Sequence, residues 1–172
     1  KTENAVALLG TLSEEQRAGV TAAAIDMWPA FEKAITEMLP NADIVHDKFH
    51  ISSYLNKAVD GVRKGEHRAL MREGDETLKN SKYRWLNNFP DLRCERSFQS
   101  LYNANLKTSK AWRLKESFSG FWDYRYIGAA KIFFKDWYKQ VKRSKLDPMK
   151  KVAAMLENRF QGLLNYIKHR IT

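Results

Sequence analysis

The chain has 172 residues, 44% hydrophobic and 12% aromatic, with a net charge of +10 and a sequence pI of about 9.7, enough apolar material for one packed domain or one domain carrying an insertion. A single cysteine, Cys94, excludes an internal disulfide framework and any multi-cysteine zinc site, which fits a reducing cytoplasm. No apolar run approaches the roughly 20 residues of a membrane span, and the start lacks a signal-peptide core, so no membrane partner is expected.

The charge is unevenly placed. Residues 1–47 carry a balance of −5 and residues 48–172 a balance of +15. An acidic segment joined to a strongly basic one fits a carboxylate cluster beside a nucleic-acid surface; the plainer reading is a generic basic helical domain.

Taken in order, Asn4 to Leu9 reads as a short apolar turn, and Leu12 to Arg17 as a helix start with Ser13 as N-cap and Gln16 at the capping-box position. Val20 to Ile25 has no polar face and predicts a buried strand of a parallel sheet. It ends on Asp26, at the strand terminus where open α/β sheets place ligands and catalytic groups. Trp28 to Leu39 has apolar residues at Phe31, Ala34, Ile35, Met38 and Leu39, a helical spacing, with Pro29 tolerated in the first turn and Pro40 as the stop. Asn41 turns the chain and Ala42 to His46 reads as a second strand. The β-α-β order predicts parallel strands with a right-handed connection.

Beyond His50 every long element reads as helix. Ile51 to Arg72 is amphipathic, with Lys57, Arg63, Lys64, His67, Arg68 and Arg72 expected outward. Gly61 and Gly65 weaken it, and Gly74-Asp75 ends it. Glu73 to Asn80 is a polar loop, Tyr83 to Leu86 an apolar island, and Arg93 to Asn103 and Thr108 to Asp123 are helices, the second interruptible at Ser119-Gly120. Phe121, Trp122, Tyr124 and Tyr126 cluster around the next turn. Tyr126 to Arg143 sets an apolar face against a stripe of Lys131, Lys135, Lys139 and Lys142. Asp147-Pro148 opens one last helix whose inner face runs through Ile167. The expected fold is therefore an α/β fragment, mostly α: a parallel β-α-β piece over residues 1–51, then a helical block over 52–172.

Three groups of residues could carry chemistry. Asp26 is either a turn or helix-capping residue or a metal-binding carboxylate at the sheet rim. Asp47 and His50 read most simply as a helix cap and a first-turn histidine bonded to it. His46 and His50 have the i, i+4 spacing of a helical metal site, but a strand position for His46 breaks that geometry and would leave a His46/His50 hydrolase as a remote alternative. The basic stripes, represented by Arg63, Lys64, Arg68, Lys131, Lys135 and Lys139, are candidate DNA-phosphate contacts or simply solvated faces.

The stretch Ala22 to Arg63, with Asp26-Met27-Trp28, Pro40-Asn41-Ala42, Asp47-Lys48-Phe49-His50, Asn56 and Val62-Arg63, resembles the DDE transposases of bacterial insertion sequences, specifically the ISL-three-like family. Leu12 to Arg17 and Gly162-Leu163-Leu164-Asn165-Tyr166 match the same family. The resemblance implies a ribonuclease-H-like catalytic domain whose Asp, Asp and Glu carboxylates hold Mg²⁺ or Mn²⁺ for DNA strand cleavage and strand transfer. Asp26 matches the second carboxylate, Asp47 and His50 a supporting motif, and the helical block the insertion before the catalytic Glu. On that pattern the first Asp precedes residue 1 and the Glu follows Thr172, so an internal fragment, inactive alone, is expected. Unpaired strand edges would then favour homo-oligomers. The alternative is a non-catalytic basic helical module for nucleic-acid or protein binding, in which Asp26 is only a cap.

Overall fold

The computed structural model describes residues 2–86, 99, 102–103 and 106–172. Cys94, and most of the helix expected over Arg93 to Asn103, lie outside them. The described elements are α1 (Thr2–Leu9), α2 (Glu14–Gly19), β1 (Ala22–Ile25), α3 (Pro29–Met38), β2 (Asp43–His46), α4 (Lys48–Arg72), α5 (Lys82–Leu86), α6 (Lys107–Ser119), a 3₁₀ turn (Gly120–Asp123), α7 (Ile127–Arg143), α8 (Asp147–Asn158) and α9 (Phe160–His169). The chain is mostly helical with a small parallel β piece, as expected. The contacts define two compact units, one of Lys1–Ser52, Tyr124–Lys131 and Asn158–Thr172, the other of Ser53–Asp123 and Ile132–Glu157.

In the first unit β1 and β2 pair in parallel, with Ala22 opposite Asp43 and Ile25 opposite His46. The helix between them starts on Pro29 because its ring fixes a helical φ where no donor is needed, and Trp28 is the N-cap residue. Ser13 and Gln16 form the expected reciprocal capping box of α2. The expectation of a strand buried on both faces is not met: Ala24 is exposed and no residue of β1 is fully buried. Only two strands are present among the described residues, so β1 is paired on one edge alone. The core of this unit draws on Met27, Ala34, Ile35, Leu39, Val45, Ile51, Leu163, Leu164 and Ile167.

Helix α9 packs against β2. Asn165 Nδ2 donates to the Ile44 carbonyl at 2.8 Å, satisfying an acceptor that the β1 ladder does not use. Asp43, at the start of β2, accepts from Lys168 Nζ and His169 Nε2, both at 2.7 Å. These bonds, that to His169 first, hold the Asp43 carboxyl below its ordinary range.

Several element expectations are corrected. Asn4 to Leu9 lies within a helix, Gly61 and Gly65 sit inside an unbroken α4, and the apolar island at Tyr83 to Leu86 is the short helix α5 with Trp85 fully buried. The single last helix is two. Arg159 leaves helical geometry at φ −115° and ψ 20°, and its Nε bonds Glu32 of α3 at 2.8 Å.

In the second unit an aromatic layer of Phe118, Phe121, Phe134 and Trp137 fills the core, Phe118 and Trp137 lying 4.6 Å apart between centroids. Helix α6 lacks a local cap: its N-cap residue, Leu106, offers no side-chain acceptor. Glu66 of α4 replaces one, accepting from the Lys107 and Thr108 N–H groups at 2.7 Å each and from Thr108 Oγ1 at 2.6 Å. A carboxylate at a helix N-terminus gains from both the hydrogen bonds and the dipole. Glu66→Ala should cost about 2 kcal/mol in urea unfolding; an unchanged midpoint would show that α6 caps itself with water.

Candidate functional site

Asp26 is the first residue beyond β1. Its Oδ1 accepts from the Met27 N–H at 2.7 Å, and its backbone carbonyl accepts from Trp28 N–H at 2.7 Å, which turns the chain sharply into α3. Its side chain does not cap α3, which has no side-chain cap hydrogen bond. The carboxylate stands at the carboxyl end of a parallel strand, with its side chain 32% exposed. It also lines a cleft of about 670 Å³ whose other walls include the apolar side chains of Leu8, Ile25, Trp28, Phe31 and Ile35.

Asp47 follows β2 and caps α4. Its Oδ1 accepts from the Phe49 N–H at 2.8 Å, and its Oδ2 accepts from His50 Nδ1–H at 3.0 Å. The ring so held points its other nitrogen at Asp26: His50 Nε2 lies 3.7 Å from Asp26 Oδ2, beyond hydrogen-bond length but within ion-pair range. The spacing Asp-x-x-His at a helix start is what allows both contacts, since a first-turn residue three positions on lies over the cap. Asp26, Asp47 and His50, separated by up to 24 positions, therefore converge.

His46 does not join them in one helical metal site. It is on β2, 3% exposed, facing Gly162 of α9, where a Cβ would stand 2.3 Å from His46 Cδ2. Its Nδ1 has no hydrogen-bond partner among the described residues, and burial holds its pKa below the ordinary 6.5. The unfolded chain therefore takes up this proton more readily than the folded one, so stability must fall as pH drops below 6.5 toward the folded value. A series of urea melts over that range should show the decline, and His46→Gln should flatten it; an equal decline in the variant would show that His46 is not the group responsible.

The basic residues divide. Arg63 was expected outward but is 8% exposed, its Nη2 2.8 Å from Asp60 Oδ1. Asp60, three residues earlier, draws the guanidinium inward, and its second oxygen holds Lys64 Nζ at 2.9 Å. Arg68, Lys131, Lys135 and Lys139 are exposed, Lys139 lying 3.8 Å from Asp136.

For a divalent cation the donor chemistry of Asp26 fits: a partly exposed carboxylate oxygen, hard and anionic, at a strand terminus. No group of three His, Cys, Asp or Glu residues that could hold a metal occurs among the described residues.

Sequence comparison places the chain among the transposases. It belongs to the DDE transposase family of the ISL3 type, whose family model, described as a transposase, matches residues 1–172. It is similar to the transposase for insertion sequence element IS1001 of Bordetella parapertussis, 27% identical over 155 residues. That match covers 87% of this chain and 38% of the relative, so the chain spans well under half of the relative's length. No solved structure matches significantly. Among the described residues no helix is long and apolar enough to cross a membrane.

Proposed function

We propose that this chain is the part of a DNA-cleaving and strand-transferring DDE transposase that supplies one metal-binding carboxylate, Asp26. On this reading residues 1–51 are part of a ribonuclease-H-like core and the chain from 52 onward is its helical insertion, with α9 returning to pack against β2. The observation that carries it is the position of Asp26: it closes the first strand of a parallel β-α-β piece, and the Asp47–His50 pair that follows the second strand is aimed at it.

Within the full enzyme, Asp26 would hold Mg²⁺ or Mn²⁺ together with carboxylates outside the 172 residues. The cation supplies Lewis-acid stabilisation of the attacking and leaving phosphodiester oxygens. Asp26 gives the site negative charge at a fixed position, its Oδ1 tethered to Met27 N–H and its Oδ2 3.7 Å from His50 Nε2. Asp47 fixes the His50 ring through Nδ1–H, and the ring so placed would act on the Asp26 carboxylate electrostatically, as outer partners of metal ligands do. One carboxylate cannot hold a metal pair, so the 172 residues alone should not cleave DNA. DNA is the partner on this reading, its phosphates met by exposed cations including Lys64, Arg68, Lys131, Lys135 and Lys139; the engaged guanidinium of Arg63 does not support a place for it in that set.

The test separates the two contacts of His50. His50→Ala in the full transposase should lower strand cleavage by roughly 10–100-fold, the usual effect of removing an outer partner of a metal ligand. His50→Gln, whose amide nitrogen can reach the Nε2 position, should recover part of it, and His50→Asn, which can keep only the Asp47 bond, should not. Wild-type cleavage by His50→Ala would remove the histidine from the site.

A further inference from the structure

We propose that the second unit binds a phosphodiester backbone in the cleft between α6 and α7, a site other than the lysine stripe. The inference rests on the nucleic-acid reading above and narrows it to a place. Lys110, Arg113, Leu114 and Ser117 recur every three or four residues on α6 and so share one face, while Gln140 and Arg143 lie one turn apart on α7. Together they line a cleft of about 470 Å³. Leu114 is buried, and the other five are exposed.

The cleft is built on fixed walls. Beside it Trp137 Nε1–H donates to the Leu114 carbonyl at 2.8 Å, a buried bond that joins the two helices, and the Trp137 ring belongs to the aromatic core. Arg113 is stacked over the Tyr102 ring at 5.5 Å, which orders its long side chain.

Convergence on one concavity, rather than freedom from ion pairs, distinguishes this cleft, since Arg68, Lys131 and Lys135 also have no ion-pair partner among the described residues. No carboxylate lines it, and Lys110, Arg113 and Arg143 have no ion-pair partner among the described residues. Elsewhere the cations are partly spent: Asp60 holds Arg63 and Lys64, Glu116 holds Lys115, and Asp136 stands near Lys139. Three unpaired cations around a concavity focus positive potential there. Two guanidiniums can each grip a phosphate with paired N–H donors, and Gln140 adds a neutral donor, whereas the Ser117 hydroxyl is donated to the Leu114 carbonyl at 3.0 Å. An apolar ligand would want the opposite lining. An extended polyanion with regularly spaced phosphates fits.

The experiment measures binding of the full-length protein to a fluorescein-labelled duplex by anisotropy, from about 50 to about 300 mM KCl, where each phosphate contact contributes about 0.9 to the log–log slope. The triple variant Lys110→Gln/Arg113→Gln/Arg143→Gln should flatten the slope by about 2–3 and weaken binding at least about tenfold at the lower salt. Lys131→Gln/Lys135→Gln/Lys139→Gln, exposed cations outside the cleft, should flatten the slope and weaken binding by clearly less than the cleft triple does. Circular dichroism melts check folding, and should the first triple unfold, Arg143→Gln alone is expected to flatten the slope by about 1. A wild-type slope in the cleft variants, or equal losses in both triples, overturns the proposal. Failure of the unmutated protein to bind DNA at all would instead bring down the nucleic-acid reading and this site with it.

Discussion

Asp26→Asn in the full transposase should lower strand cleavage on the order of 10³-fold or more, since the metal clamp proposed for it would supply several kcal/mol of transition-state stabilisation at about 1.4 kcal/mol per tenfold. The substitution is nearly isosteric. The amide oxygen can still accept from Met27 N–H, so the turn into α3 persists. What disappears is the negative charge opposite His50 and the hard anionic oxygen a Mg²⁺-like ion requires. Stability should change by no more than about 0.5 kcal/mol, as for an ordinary partly exposed position. Side-by-side cleavage assays and thermal melts decide the matter. Cleavage within tenfold of wild type would reduce Asp26 to a turn residue; loss of cleavage with a collapsed melting temperature would show a structural role instead.

The second large effect is on folding. Gly162→Ala should destabilise the protein by about 1–3 kcal/mol, the usual cost of overpacking, although alanine is the better helix former by about 1 kcal/mol. The new Cβ would meet His46 at 2.3 Å from Cδ2, 2.7 Å from Nε2 and 3.1 Å from Cγ, and the buried ring has little freedom to withdraw. At roughly 2–4 °C per kcal/mol for a chain of this size, the melting temperature should drop visibly. In the double variant His46→Ala/Gly162→Ala the two costs should not add, because removing the ring frees the space the methyl needs. Strict additivity in that cycle would mean that α9 and β2 do not approach this closely.

What could be read in advance was local. Ser13 with Gln16, Pro29 at a helix start and Asp47 beneath His50 each carry their geometry within four positions of chain, so spacing alone exposes them. Asp26 was legible as a strand terminus, but not the approach of His50, which depends on the register that sets Ile25 opposite His46. The misreadings share a cause in partners distant in sequence or in charge pairs that override periodicity. Arg63 lies at an outward position of a helical pattern yet follows Asp60 inward. The apolar period from Asp147 to Ile167 runs on unbroken, while Arg159 leaves the helix and meets Glu32, 127 positions away. Glu66 reaches across 41 positions to cap α6, a role that no window of sequence displays. Gly162 looked like a family signature; its physical reason is a histidine ring 116 positions earlier, and an otherwise costly glycine inside a helix was the available signal.

Anomalous diffraction from crystals of the full-length protein soaked in Mn²⁺ tests the central claim most directly. A metal peak coordinated by the Asp26 carboxylate, with His50 Nε2 outside the coordination sphere, is the expected result. Mn²⁺ held by other carboxylates with Asp26 turned away, or bound at His46 or His50, would contradict it.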